Sequence, residues 1–300
     1  MTDCDVLLLG DYFCDIIITG LSELPRLGAD VFGQAMTIAP GGAYIMNVAL
    51  HRLGVKVRWA TCLGDDMFSR FVLEEAQKEG LDTSLFLQVP APLRSLSLSF
   101  SFAHDRGFIS YVDPVPGRDM ADFIAAQRPA WVVNPSFDGS AASRRFVDLV
   151  HQHGGHVYTD CQYITTTLDE PGLPDMLRAI DVFAPNLSEA RQLTGASDPE
   201  TAAARLAEFC PLVVVKCGPE GAFARQGKHA WHSPALKVEA VDTTGAGDCF
   251  NAGFLAAHLR GEPVRTCLRY GNICGGLSVT QRGGASAAPG LEEVKKYLVE

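Results

Sequence analysis

Short runs of β-branched and large apolar residues alternate along the chain with longer stretches whose apolar positions recur every three to four residues. VLLLG (6 to 10), VRWATCLG (57 to 64), WVVN (131 to 134), HVYTD (156 to 160), DVFAPN (181 to 186) and LVVVKCG (212 to 218) read as strands. Residues 42 to 53, 66 to 79, 140 to 152 and 198 to 209 carry helical spacing, and 247 to 259, 264 to 280 and 291 to 299 add three helices toward the end. Apolar strands separated by helices build a mostly parallel sheet covered on both faces, so the expected class is α/β. Ligands of such sheets sit beyond the carboxyl ends of the strands, which directs Asn134, Asp160, Asn186 and Lys216 toward one cleft.

One region breaks the alternation. SLSLSFSF (95 to 102) places Ser at every second position, and GFISYV (107 to 112) follows across a short polar break, the pattern of a hairpin with one wet and one covered face. The extended DVFGQAMTI (30 to 38) could pair with it, giving a small antiparallel flap beside the main sheet. Strands at 221 to 225 and 228 to 232, joined through Gly227, form a further hairpin.

Composition narrows the function classes. The chain has 300 residues with 25 basic against 35 acidic side chains, a formal charge of -10 that leaves no broad basic surface for nucleic acid. MTDCDVLLLGD lacks the basic leader of a signal peptide, and no stretch reaches the roughly 18 apolar residues of a membrane span. A cytoplasmic location without membrane partner is expected. Nine cysteines, none in CxxC spacing, fit reduced and buried thiols. The histidines of HQHGGH (151 to 156) could hold a metal, but Gly154 and Gly155 look like a helix end, where histidine suits the dipole.

The most specific chemistry lies in VDTTGAGDCFNAGF (241 to 254). Its Gly-Ala-Gly run opens a helix, and bare backbone N–H groups at a helix start attract phosphate. Asp248 stands in the same turn and would repel that phosphate. Either this is not a phosphate site, or the aspartate has a role that outweighs the repulsion.

The segment resembles the second signature of the ribokinase-like, PfkB-type carbohydrate kinase family. PGG (40 to 42) before a helix ending RLG, LGDD (63 to 66), NLSE (186 to 189), VVVKCGPEGAFA (213 to 224) and GLSVTQRGGASAAP (276 to 289) are similar to the family's other segments, in the expected order. The resemblance implies a three-layer sandwich over 1–300 with lid segments at about 11–40 and 84–114. It also implies transfer of the γ-phosphoryl group of ATP to a sugar hydroxyl, with Asp248 as base and Gly245, Ala246 and Gly247 as anion hole.

The same resemblance assigns Asp15, Gly41, Gly42 and Asn47 to the sugar, although Asn47 comes one residue later than the family spacing and Ile45 occupies the helical register of the usual Asn. Asn186, Glu189, Lys216, Gly218, Gly221 and Asn272 fall to the nucleotide, with Asn186 and Glu189 holding Mg2+ through water. By spacing alone, Asn186 and Glu189 read equally as a helix capping box, and Asp15 as a polar flap residue. Asp242 and Thr244 match positions that hold an activating monovalent cation such as K+. Arg94, Arg106 and Arg118 lie near the flap and could meet a phosphorylated sugar. A homodimer through the flap is expected, because an apolar flap face needs cover. The alternatives within the fold are a nucleoside kinase or a vitamin-type kinase for pyridoxal or hydroxymethylpyrimidine; outside it, a non-catalytic sugar-binding regulator.

Overall fold

The computed structural model describes residues 4–101, 106–134, 137–162 and 164–298. Among these, nine strands form the main sheet: β1 (Val6–Leu9), β4 (Val57–Leu63), β5 (Phe86–Gln88), β8 (Trp131–Asn134), β9 (His156–Asp160), β10 (Val182–Ala184), β11 (Leu212–Lys216), β12 (Ala222–Gln226) and β13 (His229–Ser233). Their order is β13-β12-β11-β10-β9-β8-β1-β4-β5, parallel from β5 to β11 and antiparallel at β12 and β13. Every strand inferred from the apolar runs is present. Their apolar residues divide between two cores because both faces are covered: Val6 and Leu8 enter one, and Leu7 between them enters the other.

The helices that cover the first face are α1 (Ala43–Arg52), α2 (Met67–Lys78), α8 (Ala246–Leu259), α9 (Val264–Ser278) and α10 (Leu291–Leu298). On the second lie α3 (Ala121–Gln127), α4 (Ala141–Gln152), α5 (Leu173–Ala179), α6 (Leu187–Thr194) and α7 (Pro199–Leu206). The parallel strands all end at one edge of the sheet, and the crevice lies beyond those carboxyl ends, under the mouth of α8 and the ends of β9 to β11. α8 and α9 approach closely because Gly253 faces Cys274 Sγ, where an added Cβ would lie 2.7 Å away.

The flap is a four-stranded sheet in the order β3-β2-β6-β7, built from β2 (Tyr12–Thr19), β3 (Ala35–Gly42), β6 (Ser95–Ser101) and β7 (Arg106–Val112). The sequence reading paired 30 to 38 with the hairpin; instead β2 stands between them, antiparallel to β3 and parallel to β6. YFCDIIIT, within the expected lid segment, is not set apart as a pairing strand in the sequence because it follows β1 after only Gly10 and Asp11 and reads as its continuation. Residues 102–105, between β6 and β7, lie outside the described residues, as does the side chain of Arg106.

Several polar groups fix the frame. Asp66 caps α2 by accepting from the Phe68 and Ser69 N–H groups, and its second oxygen accepts from Leu93 N–H, which ties α2 to the root of the flap. Arg52 pairs with Glu79 at 2.6 Å and donates to the carbonyls of Ala285, Ser286 and Ala288. At the end of α4, His151 and His156 both face Asp181, at 2.9 and 3.0 Å, and Gly154 takes the left-handed conformation (φ 79°) of a helix end. No cluster of metal-ligating side chains occurs among the described residues.

Candidate active site

The mouth of α8 is shaped by glycine. Gly245 caps the helix at φ 72°, and a Cβ there would lie 2.8 Å from Ile45 of α1, so both conformation and space exclude a side chain. No side chain caps the helix. Ala246 N–H closes a turn onto Thr243 O at 3.3 Å, and the N–H groups of Gly247 and Asp248 precede the first intrahelical bond, from Cys249 N–H to Gly245 O. Ala246 N–H is thus engaged in the turn, whereas the Gly247 and Asp248 N–H groups lie ahead of the intrahelical ladder.

Asp248 keeps part of its surface open at the floor of the crevice, yet protein atoms surround it. Desolvation, with Asp160 and Asp15 nearby, pushes its carboxyl up to about 7, against the opposing pull of Lys216. A proton acceptor of that kind is matched to neutral pH.

Lys216, at the end of β11, joins the two sides of the crevice. Its Nζ lies 2.8 Å from both oxygens of Asp160 and 3.4 Å from Asn251 Oδ1. It also sits beneath the α8 mouth, 3.6 Å from where a Cβ on Gly247 would stand. Asn251 donates to Asp160 Oδ2 at 2.5 Å and accepts from Tyr158 O–H at 2.9 Å. Sequence reasoning passed over Asn251 and Tyr158 as site residues; the spacing from Asp248 to Asn251, three along one helix, was the available signal.

Asn186 and Glu189 form the capping box: Glu189 N–H donates to Asn186 Oδ1 at 3.0 Å, and Asn186 N–H donates to Glu189 Oε2 at 2.8 Å. The cap engages Oε2 of Glu189. Burial, with Asp160 adding to it, raises this carboxyl to about 7 although Asn186 and Lys216 oppose the shift. Asn186 is a bridge partner of Lys216, so the capping pair, Lys216 and Asp160 converge. Asn134 does not join them; it lines a different hollow of about 450 Å³ with Thr61, Arg118 and Ser143.

On the flap side, Asp15 lies against Gly41, where an added Cβ would fall 2.1 Å from its carboxylate. Gly42, at φ 62°, starts α1 and packs on the Asp11 carbonyl. Asn47 is 1% exposed within α1, and no described group pairs with its Nδ2. The α1 residue at the α8 mouth is Ile45, which meets Gly245 and Gly284. Asp242 accepts from Thr244 N–H at 2.9 Å and from Gly283 N–H at 3.1 Å, tying the turn before α8 to the closing segment.

Gly218 opens a short 3-10 turn (Gly218–Glu220) after β11, and Gly221 ends it with its backbone pressed on the Ser233 carbonyl. Asn272 in α9 is buried and donates to that same carbonyl at 2.8 Å. It borders a second hollow, of about 270 Å³, with Pro234, Leu236, Arg265, Ile273 and Tyr297.

These features agree with comparisons to known proteins. The profile of the pfkB family carbohydrate kinases matches residues 15–290, and the chain belongs to that family, whose members are phosphotransferases acting on an alcohol group of a sugar. It is 28% identical to a ribokinase of Haemophilus influenzae over 97% of both chains. It is 30% identical to a fructokinase of Klebsiella pneumoniae, over 97% of this chain and 98% of that one. The structure of Arabidopsis thaliana ribokinase complexed with ribose and ATP superposes with a TM-score of 0.83 over 99% of both chains at 21% identity, which establishes the ribokinase-like fold.

Proposed function

We propose that the protein transfers the γ-phosphoryl group of ATP to a hydroxyl of a sugar of the ribose or fructose class. The observation that carries this reading is Asp248, a carboxylate raised to about 7, in the turn whose N–H groups precede the first bond of α8. The acceptor hydroxyl approaches from the side of Asp15, Gly41 and Gly42, and Asp248 takes its proton as the oxygen attacks phosphorus. The Gly247 and Asp248 N–H groups, with the turn at Gly245 and Ala246, meet charge that develops on the transferring phosphoryl oxygens. Lys216 supplies a positive charge directly below.

The nucleotide lies across the ends of β10 and β11, with its phosphates at the α8 mouth. Its base occupies the hollow beside Pro234, Leu236 and Asn272, which apolar and polar groups line together. The Gly218 to Gly221 turn borders the path between them. Among the described residues Lys216 is the cation that pairs with Asp160 and opposes the burial shift of Glu189, and a hydrated magnesium ion would be held there by Asp160, Glu189 and Asn186. A magnesium ion held there would supply neutralisation of phosphate charge. Asp242 and Thr244 are the groups that would answer to K+.

The flap lies over the acceptor and excludes water. Its outer face exposes Met36 (64%), Ile38 (47%) and Ile109 (60%), an apolar surface that a second copy of the chain covers. Among the described residues no helix is long and apolar enough to cross a membrane.

ADP release from MgATP, measured with pentoses, hexoses and nucleosides, tests the reading together with Asp248→Asn. A sugar-dependent rate that the variant loses is expected. No acceptor-dependent rate, or an unimpaired variant, would refute it. Equal rates in potassium and in a bulky ammonium salt would remove the K+ assignment alone.

A further inference from the structure

The hollow beside Asn134 has no part in the proposed transfer, and its floor lies on the face of the sheet opposite α8. Leu7 and Leu9 of β1 and Ala60 of β4 pack on the second core, whereas Val6 and Leu8 enter the first core with α1 and α8. Strand alternation carries the same face on to Asp11, two residues past Leu9, and to Cys62, two past Ala60. The walls come from the segment that leads from β7 to α3, with Arg118 and Met120, and from Phe146 of α4. At about 450 Å³ the hollow falls within the range of small-molecule sites.

Two opposite charges line this hollow without meeting. Asp11 opens into it, and among the described residues no cation pairs with its carboxylate, which burial alone holds above the ordinary value. Arg118 has no carboxylate partner among the described residues either; Nη1 donates to the Leu85 carbonyl. Both side chains bear on Cys62: burial raises its thiol, Asp11 adds to the rise and Arg118 opposes it. Charges of opposite sign that share a neighbour attract each other, yet these stay apart with Leu9, Met120 and Phe146 around them. Ser143 does not answer them, because its hydroxyl donates to Asp138 at 2.7 Å. A carboxylate partly desolvated without a counter-ion is costly, and a ligand that supplies one removes the cost.

The hollow and the acceptor side meet at the end of β1. There the Asp11 carbonyl accepts from Ala43 N–H at 3.1 Å, and the Gly42 backbone packs on the same carbonyl. Both stems of the flap border the hollow as well, since β2 begins at Tyr12 and β7 ends at Val112, just before the wall segment. A ligand seated there therefore bears on how the flap holds the acceptor.

A ligand that answers both charges and the apolar wall carries an ammonium, a carboxylate and a hydrocarbon body on one small frame, which is the chemistry of an amino acid. We propose that the hollow between Asp11, Arg118 and Phe146 binds an apolar amino acid through its zwitterionic head, either free or carried on the sugar acceptor at the end away from Asp248. Asp11 accepts from the ammonium, Arg118 donates to the carboxylate, and the hydrocarbon lies on Leu9, Met120 and Phe146. Only the acceptor-borne source rests on the kinase reading.

The test uses the full chain with leucine, its decarboxylated analogue isopentylamine, its deaminated analogue isocaproate, and fructosyl-leucine, in which the leucine amine is joined to the first carbon of fructose and keeps its charge. Calorimetry without nucleotide reads binding, and ADP release from MgATP reads transfer, in wild type, Asp11→Asn and Arg118→Gln. Leucine or fructosyl-leucine is expected to bind wild type at least about tenfold more tightly than either analogue of single charge. Each substitution should weaken that binding by about tenfold or more and leave the KM for ATP unchanged. Asp11→Asn should also abolish the preference over isocaproate, and Arg118→Gln the preference over isopentylamine. Binding of free leucine identifies the free source. Transfer to fructosyl-leucine with kcat/KM at least about tenfold above that for fructose, lost in both variants, identifies the acceptor-borne one. No binding of either compound, or binding indifferent to both substitutions, would overturn the inference and leave the kinase reading intact. Were no sugar phosphorylated at all, the kinase reading would fail, and calorimetry of leucine against its two analogues would still decide the hollow.

Discussion

The two halves of the crevice differ in kind. Under the ends of β9 to β11, charge is dense: Asp160, Glu189, Asp248 and Lys216 crowd together, and two of the carboxyls rise to about 7. Beneath the flap, Asp15 is accompanied by serines and glycine backbone. On the proposed reading, chemistry and recognition are separated. The charged half needs close positions because field strength falls steeply with distance, whereas the hydroxyl half works by number and spacing of weak bonds. Changes in the first half should affect turnover, and changes in the second should affect which acceptor is held.

The largest expected effect comes from Asp248→Asn, which removes the base and should lower kcat roughly 10²- to 10⁴-fold with little change in the KM for ATP. Steady-state kinetics with the preferred sugar measures it, and a loss confined to sugar KM would erase the division between halves. Lys216→Met should lower kcat/KM for ATP by roughly 10²- to 10³-fold. It leaves Asp160 without its ion pair, so circular dichroism must accompany the kinetics. Lys216→Arg should recover part of the loss.

The pH profile offers a finer probe. Because Asp248 must be unprotonated to accept a proton, kcat should rise with pH and level off above about 7. The same shift carries a stability consequence of defined sign. The folded chain retains protons on Asp248 and Glu189 that the unfolded chain has released, so these groups lower stability as pH climbs from about 4 to 7. Asp248→Asn should flatten its share of that decline in thermal unfolding measured across the range. On the outer flap face, Ile109→Asp should shift sedimentation toward a monomer while altering kcat least of all.

Legibility in the sequence followed the same division. The α8 mouth could be read because Gly245, Gly247 and Asp248 carry their constraint locally, in backbone conformation and helix position. The main strands were legible because VLLLG, WVVN and LVVVK are apolar on both faces. The flap order was not, since pairing between β2 and β6 joins residues about 80 apart, and nothing local marks Asp15 as the neighbour of Ser97. The short helices α3, α5 and α6 have too few turns for periodicity to stand out, although the cap at Asn186 announced α6.

Arg52 gives the closing segment a mechanical meaning. One guanidinium grips Glu79 at the end of α2 and three carbonyls, those of Ala285, Ser286 and Ala288, just past the Gly284 backbone that abuts Ile45. Arg52→Ala should reduce stability by about 2–4 kcal/mol, read as a lower midpoint in urea. The segment behind the α8 mouth is in effect a strap buckled by Arg52 at one end and by Asp242 at the other, so wear at a side chain that touches no reactant would slacken the proposed seat of the phosphoryl group from behind.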